Sequence, residues 1–188
     1  GNNDNGISAS WKATEGQRYY ILVRVNSRGS DTFNLNIAET DAAENNFCED
    51  ATSISSISRF TFGSTTEAIP VVGLNNNYCL WSFSSSGLWY SIVGTGDVLS
   101  ASTCSPELNF DTAISIFQGN CEELDCLITG AFNDYPCYDT FNSASKAVWA
   151  TERGVTYYIL VYGVDQYQVG DFALSFETIE VPDNDVCS

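Results

Sequence analysis

The strongest constraint on the fold is an internal repeat, because two distant parts of the chain carry nearly the same residues. Residues 11–23, WKATEGQRYYILV, recur at 149–161 as WATERGVTYYILV, an offset of 138 positions. Two further matches follow at an offset of 139: Phe33 and Leu35 with Phe172 and Leu174, and residues 44–48 with 183–187. A repeat of about 139 residues predicts three parts: the last third of one unit at 1–40, a complete unit at 41–180, and a linker with the start of a third unit at 181–188.

The pattern of apolar residues predicts an all-β chain. Short runs rich in Val, Ile, Tyr, Phe and Thr are separated about every 8 to 12 residues by Gly, Asn, Asp and Ser. Runs such as 88–93 and 157–162 are apolar on both faces, which is typical of central strands in a β-sandwich. The only helical signal is one turn after Asn45 or Asn46, either of which could cap it. The predicted strands are 8–13, 18–25 and 32–38 in the partial unit, and 57–63, 68–73, 78–83, 88–94, 97–103, 112–118, 124–130, 144–150, 156–163 and 171–178 in the complete one.

Composition excludes most enzyme designs and several classes of partner. The chain has no histidine, which removes Ser-His-Asp and Cys-His catalysis. Its acidic residues form no recognisable catalytic signature, so we predict that it is not an enzyme. A formal net charge of −17 would repel nucleic acid and anionic membranes and attract cations such as Ca²⁺. No apolar run approaches the length of about 18 residues that a membrane span needs.

The charge is distributed unevenly along the chain. Residues 1–40 contain as many bases as acids, whereas residues 41–188 carry three bases and twenty acids. The basic residues of the first segment are Lys12, Arg18, Arg24 and Arg28. This segment is suited to contact an acidic surface, which makes Arg18, Arg24 and Arg28 candidate intersubunit residues. The alternative is that these arginines are solvated on an exposed strand face.

Cysteine usage indicates the compartment. The seven cysteines are Cys48, Cys79, Cys104, Cys121, Cys126, Cys137 and Cys187. They lack the paired short spacings of a thiolate zinc site, so disulfides are the favoured interpretation. Disulfides persist in oxidising compartments, which predicts an extracellular protein that is secreted or held at the cell surface. The odd count leaves one thiol that is either bonded to another subunit or paired outside this chain.

The partial unit is too small to bury its own apolar side chains. Three strands in about 40 residues cannot enclose Trp11, Tyr20, Leu22, Phe33 and Leu35. Either the natural chain continues upstream with the rest of the unit, or these strands complete a neighbouring molecule by strand addition. The sequence therefore predicts a contact between this segment and other polypeptide.

Several motifs in fixed order carry a family resemblance. They are residues 45–51 (NNFCEDA), 87–92 (GLWYSI), 102–104 (STC), 110–117 (FDTAISIF), 119–121 (GNC), 133–134 (ND) with Cys137, 154–161 (GVTYYILV) and 170–174 (GDFAL). In this order and spacing, residues 45–178 resemble the bacterial pre-peptidase C-terminal type of domain, which is repeated in secreted and cell-surface proteins. The resemblance implies a jelly-roll-like antiparallel β-sandwich, one full repeat with a partial one, that accompanies enzymes or builds surface structures without catalysis of its own.

The resemblance also implies bonding and ligand assignments. It suggests that Cys48 pairs with Cys79, Cys104 with Cys137 and Cys121 with Cys126. This pairing leaves Cys187 as the thiol whose partner lies outside this chain, and makes it a candidate for a bond between subunits. Some relatives hold calcium through acidic and Asn side chains, which makes two clusters candidates here: Asp111, Asn133, Asp134 and Asp139, and Asp41, Glu44, Asn45 and Asn46. Apart from the resemblance, Asn and Asp are also common turn formers whose side chains bond nearby backbone amides.

These observations predict a structural module: a subunit of a filament, stalk or adhesin that joins copies of itself end to end through β-sandwich repeats. The alternative is a carbohydrate-binding module that accompanies a secreted enzyme and stacks aromatic side chains on sugars. Trp81, close to Cys79 and followed by Ser82, is the candidate for such a surface. Trp89 and Trp149 fit the periodicity of a core instead.

Overall fold

The structure is a computed structural model, and it describes residues 11–24, 32–39, 42–55, 57, 60–71, 74, 79–80, 85–106, 108–131 and 143–180. The chain divides into two compact units, Gly1–Asp41 and Ala42–Ser188. The assignment of 1–40, 41–180 and 181–188 to successive repeats stays a prediction, because a compact unit is not by itself evidence of a repeat.

The second unit is a β-sandwich. Its strands are β1 (Thr52–Ser53), β2 (Thr61–Ser64), β3 (Gly87–Val93), β4 (Val98–Ser102), β5 (Thr112–Asn120), β6 (Glu123–Ala131), β7 (Lys146–Ala150), β8 (Thr156–Gly163) and β9 (Asp171–Ile179). One sheet has the order β1-β3-β8-β5-β6 and the other the order β2-β9-β4-β7. The short β1 runs parallel to β3, and the other strand pairs are antiparallel. The predicted all-β sandwich is confirmed.

The predicted strands of the second half are confirmed with bounds that differ by at most two residues. The strand predicted at 57–63 is shorter, since β2 begins at Thr61. Of the strand predicted at 68–73, residues 68–71 are described and form no strand, so the prediction is wrong for them. Pro70 forms one isolated bridge to Ser86, and proline has no amide hydrogen to donate to a ladder. Of the strand predicted at 78–83, only 79–80 lie within the described residues, and they are not in a strand.

The main core lies between the two sheets and is built from alternate residues of each strand. In β9, Phe172, Leu174 and Phe176 are buried while Asp171 and Glu177 are exposed, which is the period of two expected of a strand with one solvated face. The five-stranded sheet contributes Leu88, Tyr90, Ile92, Ile114, Ile116, Tyr157, Ile159 and Val161. Trp149 also packs in this core, as its spacing predicted.

A second core covers the opposite face of the five-stranded sheet. Trp89, Phe117 and Leu160, which point away from the main core, pack there with Cys48 and Cys79. The strands β3, β5 and β8 are therefore covered on both faces, which explains their continuous apolar runs. The prediction that these runs form central strands is confirmed, because all three lie inside the sheet order.

A buried hydroxyl network joins the two sheets. Thr103 follows β4, Thr112 begins β5 and Ser145 precedes β7, and all three side chains are buried. The hydroxyls of Thr103 and Thr112 lie 2.8 Å apart, and the Ser145 N–H donates to Thr103 Oγ1 at 2.8 Å. Because β5 belongs to one sheet and β4 and β7 to the other, these bonds hold the layers in register.

The predicted helical turn is present, but its predicted capping is wrong. Residues Cys48–Asp50 form one turn of 3-10 helix that begins after Phe47 and has no side-chain cap. The side chains of Asn45 and Asn46 cannot cap it, because both are buried and bonded to the backbone of other segments.

The described residues of the first unit, 11–24 and 32–39, form no strand. The strands predicted at 18–25 and 32–38 are therefore wrong for the residues described, and the one at 8–13 lies largely outside them. A strand is defined by hydrogen bonds to a neighbouring strand, and no described residue supplies such a ladder here.

The first unit does contain an ordered turn. Gly16 has a left-handed φ of +77°, and the Gln17 N–H donates to the Thr14 carbonyl at 3.1 Å. The Thr14 N–H donates to the Tyr19 hydroxyl at 2.9 Å, and the rings of Trp11 and Tyr19 lie 6.0 Å apart. The turn thus brings the tryptophan and the tyrosine together.

The matching turn between β7 and β8 has the same geometry. Gly154 has a φ of +84°, and the Glu152 N–H donates to the Tyr157 hydroxyl at 2.8 Å. The rings of Trp149 and Tyr157 lie 6.3 Å apart. The shared residues therefore produce the same local corner in both units.

Candidate functional site

A cleft of about 650 Å³ lies beside β2 in the second unit. Its walls come from β2 on one side and from residues 43–45 with β1 and β3 on the other. It therefore opens where the edge strand of one sheet faces the edge of the other. Leu88 and Tyr90, both buried, lie at its base.

Two asparagines hold the wall of this cleft in place. The Asn45 side-chain amide donates to the Trp89 carbonyl at 2.8 Å, and the Trp89 N–H donates to the Asn45 carbonyl at 2.8 Å. The Asn46 side chain accepts from the Ile69 N–H and donates to the Ile69 carbonyl, both at 3.2 Å. Each amide replaces a backbone partner that a strand would have supplied, so these residues help to position the wall of the cleft.

Tyr90 lies at the base of the cleft, and Gly63 of β2 packs closely against it. Burial raises the pKa of Tyr90 to about 12, against the opposing effect of a hydrogen bond with the Asn45 side chain. A Cβ atom on Gly63 would lie 2.5 Å from the Tyr90 hydroxyl and 2.6 Å from Phe172 Cζ. Only glycine lets β2 approach Tyr90 this closely, and this approach closes the floor of the cleft.

The rim of the cleft combines acidic and aromatic groups. The carboxylates of Glu44, Glu67 and Asp171 are exposed there, and none forms an ion pair with a residue that the structure describes. Phe62 on β2 is 76% exposed. Such a surface is suited to a partner that offers both apolar area and positive charge.

A second concavity of about 480 Å³ lies on the other side of β2. Leu108 and Phe172 line it, and it shares Phe62 and Asp171 with the first cleft. The exposed ring of Phe62 therefore borders both concavities, and β2 lies at the centre of the candidate surface.

Sequence reasoning did not find this surface. The run Phe60 to Gly63 and the acid Glu67 were visible, but the sequence does not show that β2 ends a sheet or that Phe62 faces solvent. Of the arginines predicted to contact another subunit, the structure describes Arg18 and Arg24, and both are exposed. Arg28 and Cys187 lie outside the described residues, so their predicted intersubunit roles stay predictions.

Two disulfides are observed among the described residues, and their pairing differs from the one implied by the resemblance. Cys48 bonds Cys121 and Cys79 bonds Cys126, with Cα atoms 5.5 and 5.8 Å apart. The pairings Cys48–Cys79 and Cys121–Cys126 are therefore wrong. Cys104 is also disulfide-bonded; its predicted partner Cys137 lies outside the described part of the chain.

The β5–β6 hairpin explains why Cys121 cannot bond Cys126. Cys121 occupies the turn after Asn120, which pairs with Glu123, whereas Cys126 lies opposite Phe117. Three residue steps along a strand separate the two by about 10 Å, which exceeds the Cα spacing of about 7 Å that a disulfide tolerates. The turn signal before Cys121 could have excluded this pairing from sequence.

The predicted calcium ligands are only partly described. The Asp111 N–H donates to Gln168 Oε1 at 2.8 Å, and its carbonyl accepts from the Val164 N–H at 3.1 Å. Asn133, Asp134 and Asp139 lie outside the described residues, as does Asp41 of the second cluster. No three His, Cys, Asp or Glu side chains that the structure describes are grouped as metal ligands. Calcium binding stays a prediction.

The predicted sugar-binding residue Trp81 also lies outside the described residues. Trp89 is 3% exposed and Trp149 5% exposed, which confirms both as core residues. No helix within the described residues has the length and apolar character that crossing a membrane requires.

Comparison with known proteins gives a distant likeness to solved structures. No family model matches the chain, and no curated protein matches it. Among solved structures, the chain is similar to the pre-peptidase C-terminal domain of a collagenase from Bacillus anthracis, known from a 1.0 Å crystal structure. The likeness covers 76% of this chain and 100% of that chain, with 14% identity and a TM-score of 0.40. At this level it carries no argument about function, and family membership stays a prediction.

Proposed function

We propose that the protein is an extracellular, non-catalytic structural module whose copies join end to end, as in a filament, stalk or adhesin. The disulfides support the compartment, since such bonds persist where the surroundings are oxidising. The lack of histidine supports a non-catalytic role, because the common nucleophile and base pairs need imidazole.

One observation carries the proposal: the first unit exposes side chains whose counterparts in the second unit are buried. Leu22 is 86% exposed. Leu160, the counterpart of Leu22, is fully buried in the second core.

The same contrast holds further along the segment. Phe33 is 62% exposed and Leu35 is 54% exposed, whereas their counterparts Phe172 and Leu174 are 3% and 0% exposed. Burying a Leu or Phe side chain contributes about 1.5 to 3 kcal/mol. A segment that leaves several of them in water gains strongly from a partner, and exposed apolar surface of this kind marks an interaction site.

The carbohydrate-binding alternative rests on Trp81, which lies outside the described residues. It would be distinguished by binding of a monomeric chain to a glycan array, lost in Trp81→Ala.

The proposal is tested by imaging and by sedimentation of the non-reduced chain. Negative-stain electron microscopy should show regular end-to-end assemblies, and sedimentation velocity should show a mass that rises with concentration. A chain that stays monomeric over the whole accessible concentration range would refute the proposal.

A further inference from the structure

The strand β2 presents an open edge within the described part of the second unit. It pairs with β9 on one side, and no other described strand pairs with it on the opposite side. Rows of unpaired backbone N–H and C=O groups are the surfaces to which another chain adds a strand. Next to this edge Phe62 is exposed and the cleft above Leu88 and Tyr90 opens. The edge therefore combines backbone hydrogen-bonding capacity with apolar surface.

Residues 18–24 form no strand in the structure, although their sequence predicts one and they have no strand partner among the described residues. Their counterparts at 156–162 lie in β8, and the turn that precedes both runs has the same geometry. In a strand, alternate residues share one face. Tyr20 and Leu22 would therefore lie side by side, with Arg18 and Arg24 at the two ends of that face. All four side chains are exposed.

The two surfaces have complementary charge. In an extended strand Arg18 and Arg24 are about 20 Å apart, on either side of an apolar centre. The cleft beside β2 has the same arrangement with the opposite charge: its base is apolar, and the carboxylates of Glu44, Glu67 and Asp171 lie at its rim. Opposite charges around an apolar contact accelerate encounter and help to define register.

We propose that residues 18–24 of one copy of the chain add as a strand to the open edge of β2 in a second copy. The donor segment and the acceptor edge are different surfaces of the chain, so the contact is heterologous: repeated from copy to copy it gives an open filament, or a ring where the rotation closes. This inference rests on the proposed function, because it names the contact by which copies join.

The test is a complementation experiment on the full chain. Leu22→Asp disables the donor segment and Phe62→Lys disables the acceptor edge, and both residues are exposed, so the fold is unaffected. Each variant alone should associate about tenfold or more weakly than the parent chain in sedimentation velocity. An equimolar mixture should form a dimer and nothing longer, because the Phe62→Lys chain still donates its segment to the Leu22→Asp chain.

Two matched controls test specificity. Ile37→Asp changes an exposed apolar residue of the first unit outside the donor segment, and Val148→Lys changes one on β7, the opposite edge of the same sheet. Both should assemble like the parent chain. If the parent assembles while Leu22→Asp and Phe62→Lys assemble equally well, or if their mixture contains no dimer, the inference is wrong and the proposed function stands. A monomeric parent chain would overturn both.

Charge reversal in the donor segment tests its pairing with the acidic rim. Reversing both arginines, Arg18→Glu with Arg24→Glu, leaves Tyr20 and Leu22 in place and should weaken assembly. Assembly at the parent's concentration dependence would refute the pairing with the acidic rim.

Discussion

Removing the Cys48–Cys121 bond is the most informative perturbation of the fold. The bond closes a loop with a sequence separation of 73 residues, and the Cys79–Cys126 bond closes one of 47. Loop-closure entropy in the unfolded chain then gives contributions of about 4.4 and 4.0 kcal/mol to the free energy of unfolding. Each is a large share of the 5 to 15 kcal/mol that an ordinary domain possesses.

Two double variants distinguish the observed pairing from the one implied by the family resemblance. Cys48→Ala with Cys121→Ala removes one bond and should lower the free energy of unfolding by about 4 kcal/mol. Cys48→Ala with Cys79→Ala breaks both bonds and should lower it by about 8 kcal/mol, close to complete unfolding.

The assay is urea denaturation under non-reducing conditions, followed by tryptophan fluorescence, with peptide mapping of the unreduced chain to identify the bonded peptides. If the Cys48 and Cys79 double variant were the milder of the two, the observed pairing would be wrong.

Two further predictions concern buried hydroxyls. Burial raises the pKa of Tyr90 from its ordinary value of 10 to about 12 in the folded chain. The neutral Tyr90 side chain therefore contributes fully to the free energy of unfolding below pH 10. This contribution is lost as the pH rises to 12, a change of about 2.7 kcal/mol. Urea titrations of the parent chain and Tyr90→Phe from pH 9 to 12 should diverge accordingly, and parallel curves would contradict the assignment. Thr112→Val leaves Thr103 without its 2.8 Å partner and should cost about 1 to 3 kcal/mol of unfolding free energy, whereas Thr112→Ser should retain most of it. Equal stability of the two variants would show that the hydroxyl network does not stabilise the junction between the sheets.

The strands of the second unit could be predicted because their signal is local. The alternation in β9 reflects one buried and one solvated face, and the continuous apolar run in β8 reflects two buried faces. Both patterns follow from the side chains of a single strand, which point to the two faces in turn. The prediction of a strand at 68–73 failed over residues 68–71, where Pro70 has no amide hydrogen to donate to a ladder.

The candidate site could not be predicted, because it is made by the ends of sheets. The exposure of Phe62 depends on which face of the four-stranded sheet is solvated, and Gly63 is required because Tyr90 and Phe172 lie close to it. Asn45 and Asn46 resembled helix caps in sequence, but their side chains bond the backbones of Trp89 and Ile69. The backbone groups that each asparagine amide bonds belong to segments that are distant in sequence.

The sequence by itself determined the class of fold, the strands from 88 onward and the two-sided burial of the central strands, since each follows from short-range periodicity. The tertiary structure decided which cysteines bond, because hairpin register sets Cα distances that spacing along the chain does not contain. It also decided which acids and aromatics share a surface, because sheet order alone determines which strand is left with an open edge.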